Sequence, residues 1–364
     1  MPGNKANLEI TATDKASAKL KKVGRNAEGL GGKLGAVNKK FSSMGMGSKL
    51  GAAAAGAAVA GLGMQMSSMA RDFDRNFTQV MTLLPGTSKK VFGDMEADLK
   101  GLSQELGVNL VDATTGLYNA ISAGVPQKNV FEFMRVASKA AIAGGNDLTS
   151  TVTTLAQVMN VYGVGVEEAE DISDKLFTTV KLGMTTLPQL SSSLANVLPV
   201  AQSLGVSFGE VSSMLAVLTA STGQTAESIT RLRGLFTAAS KDTSILAQAI
   251  KRELGASFAD LIASGRTTSE IMQDLRDRMP LEDFRNLFRR TEAQSAALLI
   301  TGENAVKVAG AYDEMTESIG ATEDAFKTVD ESMAQSWDKS IENLKTMGVE
   351  IGTVILPLMG SFLQ

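Results

Sequence analysis

Apolar side chains recur at alternating spacings of four and three residues in two stretches, one near each end of the sequence. This spacing is the heptad pattern of helices that pack side by side. Each stretch therefore predicts a helix with a self-association seam. The seam positions in the first stretch are Leu20, Val23, Leu30, Leu34, Val37 and Phe41. Those in the second stretch are Trp337, Ile341, Leu344, Ile351, Ile355 and Leu358.

The two seams differ in their surroundings. Alternation of Leu8 and Ile10 predicts a short strand before the first seam, with Asp14 placed to cap the helix after it. Glycines between residues 24 and 35 weaken that helix by about 1 kcal/mol each, so we expect it to need partners or confinement.

The second seam either packs on its own domain or joins copies of the chain. Self-association is favoured, because the apolar pattern reaches Gln364 without a cap, and we expect the natural sequence to continue beyond it.

The segment 49–71 carries a lysine at one end, an arginine at the other and no charge between. It is about as long as a membrane-spanning helix, but alanine and glycine insert only marginally. Small side chains instead allow helices to approach closely. Close packing between copies is the favoured interpretation, burial within one subunit and a membrane span are the alternatives, and later membrane entry is a hypothesis. The residues that define this packing or membrane segment are Leu50, Gly51, Gly56, Val59, Gly61 and Leu62.

The central region contains short helical patterns that end at a glycine and restart at a polar residue. Left-handed glycines would close the helices, and Asn, Ser or Thr would cap the next ones. The predicted terminators are Gly163, Gly183, Gly205 and Gly223.

Three side chains refine this pattern. Ser207 and Glu210 have capping-box spacing, so we expect reciprocal hydrogen bonds between side chain and backbone. Pro188 is expected in a first helical turn, and Pro199 is expected to kink the helix that it interrupts.

These patterns predict an all-α fold, a compact array of short antiparallel helices flanked by long coiled-coil-like helical segments. Five regions are expected along the chain. They are a basic arm with a short strand and a heptad helix at 1–48, an Ala/Gly-rich apolar helix at 49–71, a helical core at 72–240, a charged helical region at 241–325, and a heptad helix running into an apolar segment at 326–364.

Composition narrows the chemistry. The 364 residues include no histidine and no cysteine, which excludes disulfides, thiol nucleophiles, His–Cys zinc sites and Ser-His or Cys-His catalytic arrangements. Carboxylates are scattered at helical spacings, and GLGGKLG at 29–35 lacks the phosphate-loop spacing. We therefore expect no enzyme, no cofactor and no metal site. Residues 1–50 carry ten Lys/Arg and three Asp/Glu, an excess that suits either a solvated helix face or an anionic partner.

The order of elements over about 70–240 resembles the core domain of phage tail tape measure proteins. The similarity runs from MARDFDRNFTQVMTLLPGTSKKVFGDMEADLKGLSQELGVN through ATTGLYNAISAGVP and VASKAAIAGGNDLTSTVTTLAQVMNVYGV to SLGVSFGEVSSMLAVLTASTGQTAESITRLRGLF. No single motif identifies the family; the similarity lies in the order of these segments along the chain. SWDKSIENLKTMGVEIGTVILPLMGSFL is also similar to the segment after the core in that family.

The resemblance implies a virion protein of the tail lumen that sets tail length, leaves ahead of the DNA and helps it cross the cell envelope. It implies further copies of itself, three by analogy, and the tail tube protein, tail tip or distal tail proteins and a tail assembly chaperone as partners. The DNA end and the host membrane after ejection are further candidates, with the host cytoplasm as the site of assembly. Such proteins are commonly much longer, so a fragment is expected. The alternative function is a helical pore-former or membrane-associated scaffold unrelated to tails.

Overall fold

A computed structural model of the chain describes the backbone of residues 68–362 and the side chains of residues 68–350. Within those residues the fold is all-α, as the sequence predicts, and no strand occurs there. The predicted short strand, the first heptad helix and nearly all of the apolar segment 49–71 lie outside the described residues.

The described helices are mostly short. The first, α1, covers residues 68–82. The next seven are α2 (Lys89–Leu106), α3 (Leu110–Ser122), α4 (Val130–Gly144), α5 (Leu148–Tyr162), α6 (Ala169–Leu182), α7 (Leu187–Ser191) and α8 (Leu198–Ser203). They are followed by α9 (Phe208–Thr222), α10 (Thr225–Ser240), α11 (Ile245–Leu254), α12 (Phe258–Ala263), α13 (Thr268–Asp277) and α14 (Leu281–Asn286). The last four are α15 (Thr291–Leu299), α16 (Glu303–Thr316), α17 (Ala321–Asp330) and α18 (Met333–Phe362). Single 3₁₀ turns occur at Gln127–Asn129, Val166–Glu168 and Leu194–Asn196.

The chain divides into two compact units. The larger comprises residues 77–340, and the described part of the smaller comprises residues 68–76 and 341–362. Helices on both sides of residue 240 contact each other within the larger unit, most extensively α10 with α15 and α9 with α16.

Helix α9 forms the centre of the larger unit. Every residue from Phe208 to Thr219 is buried, so the helix is covered on all its faces. Its neighbours are α6, α10 and α16. A helix that is buried on all its faces must be surrounded by other helices, which is why α9 lies in the middle of the array.

Small residues set the spacing of the helices beside it. In α10, Ile229, Leu232 and Phe236 form a buried stripe. Gly234 lies opposite α15, where an added Cβ would come within 3.4 Å of the Ala293 nitrogen. The two backbones approach closely because neither carries a large side chain at this contact.

The glycine terminators are confirmed in three of four cases. Gly163, Gly205 and Gly223 have φ values of 67°, 78° and 65°, in the left-handed region. Gly183 is different, because it ends α6 in an extended conformation. An added Cβ there would lie 2.3 Å from the Thr219 hydroxyl oxygen and 2.9 Å from the Thr179 carbonyl oxygen. Glycine is needed at 183 for close approach to α9, so the prediction of a left-handed terminator was wrong.

The two prolines both begin helices. As predicted, Pro188 lies in the first turn of α7. The same turn contains a capping box formed by Thr186 and Gln189. Pro199 lies in the first turn of α8. The predicted kink at Pro199 was wrong. In the first turn of a helix the backbone N–H groups have no partner within the helix, so a proline there costs no hydrogen bond.

Helix α18 is the longest described element, with 30 residues. The predicted heptad helix of region 326–364 is interrupted near its start. Helix α17 ends at Asp330, and α18 begins at Met333. None of the described helices is apolar over enough of its length to cross a bilayer.

Candidate functional site

The predicted functional residues form three groups, according to how much of each residue the structure describes. The first seam (Leu20, Val23, Leu30, Leu34, Val37, Phe41) and the packing segment (Leu50, Gly51, Gly56, Val59, Gly61, Leu62) lie outside the described residues. Ile351, Ile355 and Leu358 lie on the helical backbone of α18, beyond the described side chains. Only Trp337, Ile341 and Leu344 have described side chains.

These three positions are not the most buried face of α18. Trp337 is 62% exposed, while Ile341 and Leu344 are half-buried. The buried positions nearby are instead Glu342, Thr346 and Val349. Self-association through the seam stays a prediction, and Trp337 is accessible for it.

The larger unit holds a buried carboxylate that the sequence did not single out. Asp174, in the middle of α6, is 1% exposed. Its Oδ2 accepts a hydrogen bond from the Gly320 N–H at 2.7 Å, and its Oδ1 accepts one from the Thr322 N–H at 2.8 Å. Both donors belong to the first turn of α17, whose own N-cap is a glycine without a side chain. Asp174 therefore caps a helix whose N-cap residue lies 146 positions later in the chain.

Polar contacts surround this cap. The hydroxyls of Ser173 and Thr322 lie 2.9 Å apart and are buried. On the rim, Lys139 of α4 pairs with Glu323 at 2.6 Å and lies over the Phe326 ring, 5.5 Å from its centroid. We call the five side chains of Lys139, Ser173, Asp174, Thr322 and Glu323 the α17 latch.

A second long-range contact holds the start of α18. The Gln335 side-chain amide donates to the Leu106 carbonyl at 2.6 Å, at the end of α2. Gly107 is the next residue, with φ of 75°, and a Cβ there would lie 2.9 Å from Cγ of Lys339. The end of α2 and the start of α18 therefore meet at a turn that only glycine fits.

Glu210 is a second buried carboxylate that caps a distant helix. The predicted capping box is half correct, because the Ser207 hydroxyl accepts from the Glu210 N–H. The Glu210 side chain does not return to Ser207; it accepts from the Thr268 N–H at the start of α13. Burial raises the pKa of the Glu210 carboxyl, the Thr268 hydrogen bonds oppose this, and the charge of Glu270 adds to it.

Glu210 lies at the floor of a groove of about 550 Å³ between α13 and α16. The wall is acidic, with Glu270, Asp274, Asp277 and Asp313. Arg278 and Arg266 bind Asp274, and the hydrogen bond from Arg278 is the main reason why the pKa of that carboxyl is lowered. Among the described side chains, no group of three or more acidic residues is arranged to hold a metal ion. The two buried carboxylates of the larger unit thus accept hydrogen bonds from the starts of distant helices.

Sequence reasoning missed Asp174 because its partners are far away in the chain. One local signal existed: Gly320 precedes the helical pattern ATEDAF, and a glycine N-cap leaves N–H groups that another element must satisfy. The sequence does not tell which carboxylate supplies the acceptor.

Comparison with known proteins finds similarity to phage tail proteins. A family model described as phage-related minor tail protein matches residues 96–300. The probable tape measure protein of Clostridium phage phiCD119 is 25% identical over 305 residues, which is 78% of this chain and 31% of that protein. The tape measure protein of Pneumococcus phage Dp-1 is 21% identical over 288 residues, 76% of this chain and 24% of that protein. The chain thus spans less than a third of the length of each relative. No solved structure matches it.

Proposed function

Because the chain belongs to the phage-related minor tail protein family, we propose that it acts as part of a tape measure protein, a structural scaffold that sets tail length from inside the tail tube. The observation that carries the proposal is the match over residues 96–300, together with two curated relatives named as tape measure proteins.

Helix α18 is the part of the described chain best suited to measure length. Its 30 residues correspond to about 45 Å at 1.5 Å per residue, and heptad spacing continues through it. The larger unit is compact, so we propose that it contributes a fixed body while heptad helices contribute distance. Trp337 and the seam that continues from it would join copies of the chain, three by analogy with the family.

The proposal extends to partners and location. We place the chain in the virion, in the tail lumen, in contact with the tail tube protein and the tail tip or distal tail proteins. A tail assembly chaperone would hold it in the host cytoplasm during assembly. On infection it would leave ahead of the DNA, whose end is a partner suited to the basic residues 1–50, and its apolar segments would help DNA cross the envelope.

Tail length measured by electron microscopy tests this function. Two tandem copies of residues 337–350, inserted after Glu350 in the parent gene, add 28 residues while keeping the heptad spacing. Tails should lengthen by about 42 Å if this helix lies along the lumen. The matched control is a 28-residue Gly/Ser insertion between Asp242 and Thr243, in the exposed connection of α10 to α11.

The control should leave tail length unchanged, because a loop inserted into a folded body adds no distance along the tube. Tails of unchanged length with the heptad insertion would contradict the role as a ruler. Release of dye from lipid vesicles by the purified chain, together with that result, would then support the pore-forming alternative.

A further inference from the structure

Helix α17 has few fully buried side chains. Of its ten residues only Thr322 and Phe326 are buried. Its neighbours are α4 and α6. Because little apolar surface is covered, the hydrophobic contribution to its attachment is small, and the α17 latch must supply much of the rest.

Both ends of α17 have breaks in the helical chain. On the amino side, Gly320 has φ of 85°, in the left-handed region, and the preceding Ile319 is 85% exposed. On the carboxyl side, Glu331 and Ser332 separate α17 from α18. Gln335 then fixes the start of α18 on Leu106, independently of the latch. The helix is therefore a short segment between two anchored elements.

The Asp174 carboxylate acts as the centre of the latch. It is buried on α6 and accepts hydrogen bonds from N–H groups of α17 on both oxygens, so both acceptors are satisfied only while α17 is in place. Opening restores water to the carboxylate and to both N–H groups at once. Such an arrangement favours two discrete states, closed and open, because partial opening leaves a buried charge without its donors.

We propose that α17 is a hinged lid, latched by Asp174, whose opening uncovers a groove between α4 and α6 while the rest of the larger unit stays folded. Around Thr322 of α17 this groove is lined by Ala140 of α4, by Ser173, Leu176 and Phe177 of α6, and by Thr151 and Leu187. The lid is independent of the proposed role in tail length.

Amide hydrogen exchange of the full chain, followed by mass spectrometry, tests the lid. Asp174→Asn keeps the shape but replaces one acceptor oxygen with an amide that repels the N–H it faces. Peptides covering 321–330 should exchange about ten to a hundred times faster, while those covering 208–222 and 333–340 keep their rates. The matched control is Glu170→Gln, an acid-to-amide change at an exposed position of the same helix.

A double variant keeps the test decisive if Asp174→Asn disturbs folding. Ser173→Cys with Thr322→Cys places two thiols where the hydroxyls touch, in a chain that has no other cysteine. Oxidation should slow exchange in 321–330 alone, and reduction should restore it. The lid is overturned if Asp174→Asn speeds exchange equally throughout the larger unit or not at all in 321–330, or if oxidation of the double variant leaves exchange in 321–330 unchanged.

Discussion

The centre of the larger unit and its α17 lid are held by different interactions. Around α9 and α10 most contacts are apolar, with Leu232, Leu235 and Phe236 at 0% exposure, and Glu210 is the buried charged side chain among them. On α17 one phenylalanine is buried, and polar contacts include the hydrogen bonds to Asp174 and the ion pairs Lys139–Glu323 and Lys339–Asp330. Apolar burial is additive and non-directional, whereas a buried carboxylate stabilises only one arrangement of its donors. One compact unit thus combines a core that unfolds as a whole with an element that releases by itself.

The largest expected effect is at the apolar centre. Phe236→Ala removes a fully buried ring from α10 and leaves a cavity beside α9. We expect the free energy of unfolding to fall by about 3–5 kcal/mol, measured by chemical denaturation. All helices of the unit should lose stability together, and a loss confined to α10 would break the comparison.

A smaller effect is expected where two backbones touch. Gly183→Ala would force a methyl group against the Thr219 hydroxyl and the Thr179 carbonyl of the α6–α9 contact. We expect destabilisation of about 1–3 kcal/mol, measured by the same denaturation experiment.

Gly101→Ala in α2 is the matched control for this glycine, since an added Cβ there has no atom within 4 Å. It should stabilise the chain by about 0.5–1 kcal/mol, because alanine favours a helix interior. Equal destabilisation by both substitutions would show that the α6–α9 contact is not special.

The buried Glu210 predicts a pH dependence. Burial raises the pKa of its carboxyl above the ordinary 4.5, so the folded state binds this proton more tightly than the unfolded state. The Glu210 contribution to stability is therefore greatest below pH 4.5 and declines as pH rises through the raised pKa. Glu210→Gln keeps an acceptor for the Thr268 N–H and should remove this decline, seen in denaturation curves at several pH values.

The lowered pKa values of Glu105 and Asp274 affect stability in a different, more acidic pH range. The hydrogen bond from Arg135 lowers the pKa of Glu105, and that from Arg278 lowers the pKa of Asp274, so their stabilisation is lost only as pH falls below their ordinary 4.5 and 3.8. A Glu210→Gln variant that keeps the native slope above pH 4.5 would exclude Glu210 as its source.

The smallest effect on folding is expected at Trp337. Because the ring is 62% exposed, Trp337→Ala should change stability by no more than about 0.5 kcal/mol. It should nevertheless weaken self-association, measured by sedimentation, if the seam joins copies. An unchanged sedimentation profile would remove Trp337 from the seam.

Local signals in the sequence predicted local structure well. Gly163 and Gly223 close helices, and Thr186 caps α7, because each choice depends on residues within one turn. Predictions failed where a distant element decides. Gly183 is set by α9, and the Glu210 side chain by α13.

The candidate site was less predictable than the fold. Asp174 is one of many acidic residues on helical patterns, and only the three-dimensional packing shows that its donors are Gly320 and Thr322. Heptad spacing is a repeated signal that predicts a seam through Trp337, and self-association through it stays a prediction, because the spacing alone does not identify a partner.

Native-state hydrogen exchange of the unaltered chain in increasing denaturant tests the central contrast most directly. Amides of α17 should exchange through a low-energy opening that depends little on denaturant, because little surface is exposed. Amides of α9 and α10 should exchange only through global unfolding, with a steep dependence. If α17 follows the same steep dependence as α9 at every concentration, the lid does not open separately and the account is contradicted.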